Sequence, residues 1–285
     1  MKKPQWITLA VAFILVVILY VFGRIVPEKK INTTREPDVA ENRVSTDSIL
    51  SDAKKRLDAA QIVRLNALEN SGVKGNAVEQ KVKIYHQLAH FWADTGQIFE
   101  PYAWYEAEAA RLENSEKSLT FAAHLFLQNM RGESDQPLKA WKALEAKDLF
   151  ERSLKINPQN DSSIVGLGAC YIFGGISASP MEGILKVRAV ADKDSSNIFA
   201  QEVLGHGSIY SGQYDKAIAR FETVYRLSSD KEGTKLEACL MLAEAYERKE
   251  DRLSAVNWYK KSLSLIKNPE VKEEVTKRID ELSKG

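Results

Sequence analysis

The chain is poor in the residues on which disulfide-bonded, metal-dependent and phosphate-binding proteins are built. Only two cysteines occur, and none precedes Cys170, so no lipid-modified amino-terminal cysteine is expected. Two thiols say nothing of redox compartment; Cys170 and Cys239 read as small buried hydrophobes, since pairing would need their Cα atoms within about 7 Å. Excess charge of either sign is also missing, with 40 Lys and Arg against 39 Asp and Glu and no long single-sign run. That balance removes the electrostatic reason to expect nucleic acid, whose binding rests on phosphate neutralisation, while leaving a local patch open. No Walker-type loop, HExxH, GxSxG or paired CxxC appears. Gly166-Leu167-Gly168 and Gly205-His206-Gly207 precede no strand-to-helix phosphate turn, and tight helix packing accounts for their glycines. No cofactor is expected, and the chain is not expected to be an enzyme.

What is present is a sizeable core: 285 residues, 44% apolar and 28% charged, enough for one domain. From Pro4 to Gly23 run 20 residues without a formal charge, flanked by Lys2, Lys3 and Arg24. About 20 apolar residues span a bilayer core as a helix. A cleaved signal peptide is the rival reading, but the run exceeds the usual apolar region of such signals and Phe22 to Pro27 offers no A-x-A-like site. The expectation is a retained single-pass anchor over 6–26 after a short tail 1–5, with Trp6 and Tyr20 at the interfaces. Lys2 and Lys3 on one side and Arg24, Lys29, Lys30 and Arg35 on the other leave the orientation open; an uncleaved signal anchor of the bacterial type would export the remainder of the chain. Residues 27–45, polar and with two prolines, read as a linker.

Leu204 to Val224 carries a small-residue code for two antiparallel helices. Leu204, Gly205 and Ile209 share one stripe, Gly212 supplies the turn, and Ala217, Phe221 and Val224 form the facing stripe. A pair this small cannot bury both faces alone, which predicts stacked neighbours of the same plan. Ala89, Ala123, Gly168 and Ala243 occupy positions equivalent to Gly205, followed three residues later by Trp92, Phe126, Tyr171 and Tyr246; the steps are 34, 45, 37 and 38 residues. Second stripes recur at Ala255, Tyr259 and Ser262, at Ala146, Phe150 and Ser153, at Gly183, Val187 and Val190, and at Ala103, Ala107 and Ala110. On these residues the chain resembles the tetratricopeptide repeat (TPR) family over about 77–268, through units at 161–195, 198–229 and 235–268 preceded by two degenerate ones. The resemblance implies an all-α, TPR-type α-solenoid of about five helix pairs with capping helices, preceded by one transmembrane helix. An eleven-residue excess between Ala123 and Gly168 is placed around Arg131 to Lys142, as a longer turn or longer helices.

Ser48 is read as capping one amphipathic helix within 46–72, with Ile49, Ala53, Leu57, Ala60, Val63 and Ala67 on its stripe. That helix is either an amino-terminal cap on the first repeat or a coiled-coil dimerisation segment. Asn76 with Glu79 reads as a capping box, Ser179-Pro180 as a cap and first-turn proline, and 269–285 as a closing helix with Val271, Val275, Ile279 and Leu282 along one side.

All four histidines fall on first helices, the elements that in the TPR family line a concave, peptide-holding groove. His86 and His90 have i,i+4 chelating spacing, with His124 on a neighbouring helix; these three are a weak metal candidate beside the ordinary reading as groove or core histidines. The expected groove comprises His86, His90, His124, Val165, Ala169, Ile172, Phe199, Glu202, His206, Ile209, Leu240, Glu244 and Glu247. Its mix of apolar groups and carboxylates suits an amphipathic helix or an extended segment carrying some basic residues; the Lys/Asn carboxylate clamp of chaperone-binding TPR domains is not matched. The resemblance, anchor and linker together imply a membrane-tethered, non-catalytic scaffold that binds a polypeptide partner in the bacterial cell envelope. Its expected location is the inner membrane, single-pass, with the carboxyl-terminal domain periplasmic. A self-associating structural element of an envelope complex is the alternative.

Overall fold

The structure is a computed structural model that describes residues 44–71, 78–177, 179–228 and 232–284. The tail, the anchor 6–26, all but the end of the linker and the Asn76 cap lie outside the described residues. Among those described, no strand occurs and no helix is long and apolar enough to cross a membrane.

Thirteen α-helices follow one another among the described residues: α1 (Thr46–Lys54), α2 (Ala59–Ser71), α3 (Val78–His90), α4 (Phe99–Glu113), α5 (Glu116–Arg131), α6 (Gln136–Ile156), α7 (Asp161–Phe173), α8 (Met181–Lys193), α9 (Ile198–Tyr210), α10 (Tyr214–Leu227), α11 (Glu232–Arg248), α12 (Arg252–Leu263) and α13 (Pro269–Lys284). Five hairpins, α3/α4, α5/α6, α7/α8, α9/α10 and α11/α12, stack in chain order, and the first helices α5, α7 and α9 stand side by side. The array is TPR-like, and its repeat code is visible as contact. A Cβ on Gly205 would fall 2.8 Å from the Phe221 ring, and one on Gly168 would fall 2.4 Å from Val187 and 2.8 Å from the Gly183 carbonyl oxygen. Gly183 returns the constraint, its Cβ position lying 2.4 Å from the Gly168 carbonyl oxygen. Ala89, Ala123 and Ala243 are fully buried at the equivalent positions. Gly212, at φ 72°, turns α9 into α10 as the small-residue reading requires.

The joints between repeats carry their own signal. The Asn160 side chain accepts from the Ser163 amide, and Asn197 accepts from the Ala200 amide, so α7 and α9 begin on the same asparagine cap. Each cap is preceded by an identical turn, with the amides of Asn160 and Asn197 donating to the carbonyls of Asn157 and Asp194. The eleven-residue excess is longer helices: α6 runs 21 residues and α5 runs 16, joined by a short turn.

Three expectations are corrected. The single amphipathic helix is two, because Asp58 and Gln61 form a reciprocal box. The Asp58 carboxylate accepts from the Gln61 amide at 2.8 Å and the Gln61 side chain accepts from the Asp58 amide at 2.9 Å, which restarts the helix. Beyond that break the stripe shifts, so Leu65 is buried and Val63 is 70% exposed. Ser45, rather than Ser48, caps α1. Pro180 itself occupies the cap position of α8, without a side-chain cap from Ser179.

The α1/α2 pair packs on the first hairpins. Ala53, Leu57 and Leu65 join the core of Leu88, Phe91 and Trp92, and Thr46 accepts from the Trp141 indole at 3.0 Å. A wide turn over Phe91–Gly96 buries Phe91 and Trp92 before the chain reverses at Gln97. At the other end, α13 buries Val275 and Ile279, with Leu282 packed beside them, and leaves Val271 exposed.

The glycine contacts give a paired test. Gly183→Ala is expected to cost about 1–3 kcal/mol by overpacking, despite the better helix propensity of alanine. Gly132→Ala, whose Cβ would meet nothing within 4 Å, is expected to be neutral or stabilising by up to about 1 kcal/mol. Equal urea midpoints for the two variants would contradict the close-approach account.

Candidate functional site

First helices α5, α7, α9 and α11 present one face to a groove that the side chains divide into chambers. The first, of about 420 Å³, is bounded by His124, Leu127 and Gln128 of α5, Ala169 and Phe173 of α7, Phe199, Glu202 and Val203 of α9, and Thr234 of α11. The second, of about 690 Å³, lies toward the carboxyl ends of the same helices, where Tyr171, Ile209, Tyr210, Met241, Glu244 and Arg248 meet the α5/α6 turn. Arg131 and His206 line both chambers. The Arg131 guanidinium, at the end of α5, reaches past α7 to the His206 ring and to Glu237 of α11, at 3.1 Å from its carboxylate. His206 Nε2 lies 3.2 Å from the same carboxylate. These three side chains form a crossbar tying α5, α9 and α11. The hydrogen bond from His206 and the charge of Arg131 outweigh burial and hold Glu237 below its ordinary carboxyl range.

A third chamber, of about 770 Å³, lies between α11 and α13, with Leu240, Glu244 and Glu247 among its walls. The carboxylates of the groove are mostly paired within the chain: Glu237 with Arg131, Glu244 with Arg248 at 2.8 Å, and Glu247 with Arg278 of α13. The face is therefore less acidic than the first-helix residues alone imply. Its unsatisfied character is apolar, with Phe199, Ile209 and Phe173 partly exposed and Tyr210 81% exposed.

Of the groove residues expected from sequence, His124, Ala169, Ile172, Phe199, Glu202, His206, Ile209, Leu240, Glu244 and Glu247 line these chambers. Val165 does not. It is fully buried in the main core, because α7 is packed by α5, α6, α8 and α9 and is apolar nearly all round. His86 and His90 lie outside the chambers as well. His86 faces its own hairpin partner α4, with Nδ1 3.1 Å from Glu106 and Nε2 3.2 Å from Glu113, and His90 is exposed.

The chelating set thus does not assemble, since His86 meets carboxylates and His124 meets Ser162 at 2.8 Å. Among the described residues no group of three or more His, Cys, Asp or Glu is placed to hold a metal ion. The residues that sequence reasoning misses are Arg131, Glu237, Met241 and Arg248. No local motif marks the first two, whose pairing spans 106 residues, although Arg248 follows Glu244 at i,i+4.

A family model described as a domain of unknown function, DUF6340, matches residues 204–284, and no curated protein matches the chain. Solved structures similar to it include MamA (residues 41 to end) from Desulfovibrio magneticus RS-1, at TM-score 0.44 and 21% identity over 66% of this chain and 97% of that one. YrrB, a TPR protein with an unusual peptide-binding site, is similar at TM-score 0.42 and 15% identity, over 75% of this chain and 99% of that one. Yeast Tom70 is similar at TM-score 0.32 and 12% identity, over 90% of this chain and 65% of that one. At such scores the site must be read from this chain's own residues.

Two histidines give opposite pH signatures. Burial tends to lower His86, but the Glu113 and Glu106 carboxylates prevail and raise it above its ordinary value of 6.5. Its contribution is full below that value and lost as pH rises through the folded one. Burial lowers His124, so its contribution is lost as pH falls through 6.5 toward the folded value. Measured as denaturation midpoint between about pH 5 and about pH 8, His86→Gln should remove a loss of stability toward high pH and His124→Gln a loss toward low pH. Changes of the same sign in both variants would contradict the assignment.

Proposed function

We propose that this chain is a membrane-tethered, non-catalytic scaffold that binds a segment of a partner polypeptide along the face of α5, α7, α9 and α11. The observation that carries the reading is the chambered groove itself, where Phe173, Phe199, Ile209 and Tyr210 stay accessible while neighbouring carboxylates are occupied by arginines. Apolar anchors flanked by paired charges suit an amphipathic helix or an extended segment whose apolar side chains enter the chambers.

The charge-free run Pro4 to Gly23 supports an anchor in the inner membrane of a bacterial cell, with the repeats on the periplasmic side. Confinement at a surface raises the effective concentration of a partner there. The self-association alternative rests on the anchor and on exposed Ile62 and Val63 of α2, since Ala53, Leu57 and Leu65 pack within this chain.

Two measurements test the reading. Peptides enriched on the full chain from a random-peptide phage library are expected to bind Phe199→Arg or Ile209→Arg roughly tenfold or more weakly; a library that yields no peptide sensitive to these positions removes the groove from consideration. A reporter fused after Gly285 is expected to be active only outside the cytoplasm, and activity confined to the cytoplasm reverses the topology.

A further inference from the structure

A second cleft, of about 450 Å³, lies behind α9. At about 100° per residue, Gln201, Leu204 and Ser208 project from the side of that helix opposite Phe199, Glu202 and His206. Helices α8 and α10 form the walls, and the floor is Leu204, Val203 and Gly207 of α9 with Ile184 of α8.

Its charge departs from that of the whole chain, whose net value is +1. Arg188 of α8 and Lys216, Arg220 and Arg226 of α10 line it, and no carboxylate does. Lys216 Nζ donates to Gln213 Oε1 at 2.6 Å, and Arg220 Nη1 donates to Gln201 Oε1 at 2.8 Å. Among the described residues Arg188 and Arg226 have no hydrogen-bond or ion-pair partner, and none of the four cations forms an ion pair with a carboxylate. The groove on the other side of α9 behaves differently, since Arg131 and Arg248 each pair with a glutamate. Four cations gathered around an apolar floor, none of them in an ion pair, make a site that an acidic ligand would complement.

We propose that this cleft docks a short acidic segment of a partner polypeptide, its carboxylates against Arg188, Lys216, Arg220 and Arg226 and an apolar side chain on the Leu204 and Ile184 floor. A polypeptide fits better than nucleic acid because the cations do not continue as a track. Exposed Asp192 on α8 and Asp215 and Glu222 on α10 border the cluster and confine it to a length that suits a short segment rather than a run of phosphates. Bidentate pairing of guanidinium with carboxylate gives the cleft orientation as well as attraction.

The test is fluorescence anisotropy of the rhodamine-labelled pentapeptide Glu-Glu-Leu-Glu-Glu titrated with the full chain in neutral detergent, beside its Gln-Gln-Leu-Gln-Gln counterpart. The acidic peptide is expected to saturate and the neutral one not to bind, with affinity falling as salt is raised. The double variant Arg188→Glu, Arg226→Glu should weaken binding roughly tenfold or more; both side chains are exposed and unpaired, so its thermal midpoint should stay within about 4 °C of the parent's despite the new like-charge pairs with Asp192 and Glu222. Arg188→Gln, Arg226→Gln should give an intermediate loss. Phe199→Arg should leave the acidic peptide unaffected, which separates this cleft from the groove reading. Absence of saturation, binding indifferent to both double variants, or tighter binding of a labelled oligothymidylate would overturn the proposal.

Discussion

Two helix backbones meet at Gly168 and Gly183 with no room for a side-chain carbon on either, and the rest of the array depends on approaches of this kind. A hairpin of two short helices has too little interior to exclude water, so its stability comes from contact with the next hairpin. Small residues set how near those surfaces come. Where α7 meets α8 both partners are glycine. Where α9 meets α10 a glycine receives the Phe221 ring, and in the flanking hairpins alanine takes the first-helix position. One rule therefore yields hairpins of differing closeness, and the tightest stand at the middle of the array, where α7 is covered on nearly every side.

The amino-terminal half adds a different device. Lys142, 1% exposed, lies between Glu100 at 2.9 Å and Glu133 at 2.7 Å, with its ammonium over the Phe99 ring. Arg111 of α4 reaches Glu145 and Asp148 of α6 and Glu108 of its own helix. Taking these charges out of water costs about what their attraction returns, so they add little net stability. What they contribute is alignment of α4 with α6, added to the apolar packing of Trp141, Ala146, Leu149 and Phe150 that seats α6 in the main core. Fixed charges on α4 and α6 admit one register. Among the described residues the carboxyl-terminal hairpins carry more exposed charge contacts, such as Arg278 with Glu247 and Arg131 with Glu237.

These differences explain which features are legible in the sequence. The hairpin order, the Gly205 to Phe221 contact and the stripes at Ala146 and Ala217 emerge from spacing, because a residue that must be small recurs at a fixed interval. The excess near Arg131 is visible in length but not in form, since nothing local distinguishes a longer turn from a longer helix. Asp58 and Gln61 spell a capping box in plain view, and apolar residues that continue through it at helical spacing mask it. Val165 is misplaced by its spacing because periodicity names a helix's faces without revealing how many are covered. The charged crossbar and the rear cluster are hidden for a shared reason: Arg131 meets Glu237 across three repeats, and Arg188 joins Lys216, Arg220 and Arg226 only after α8 and α10 fold against α9. Contacts made by stacking leave no run in the chain.

The groove and the rear cleft share α9, which raises the question of whether occupants on its two sides would influence each other. Coupling requires an element with two arrangements that the ligands favour unequally. Helix α9 offers little freedom for that. Gly205 already touches Phe221, Ala200 and Leu204 are buried in the main core, and the Asn197 cap and the Gly212 turn fix both ends. A packed helix shifts by changing its partners rather than by small continuous displacement. With the apolar partners of α9 divided between the main core and the core around Ala217, Phe221 and Val224, moving it would disturb three hairpins at once. The geometry therefore favours two independent binding faces on one rigid rod, so that a segment held in front and an acidic segment held behind would be brought together by position alone.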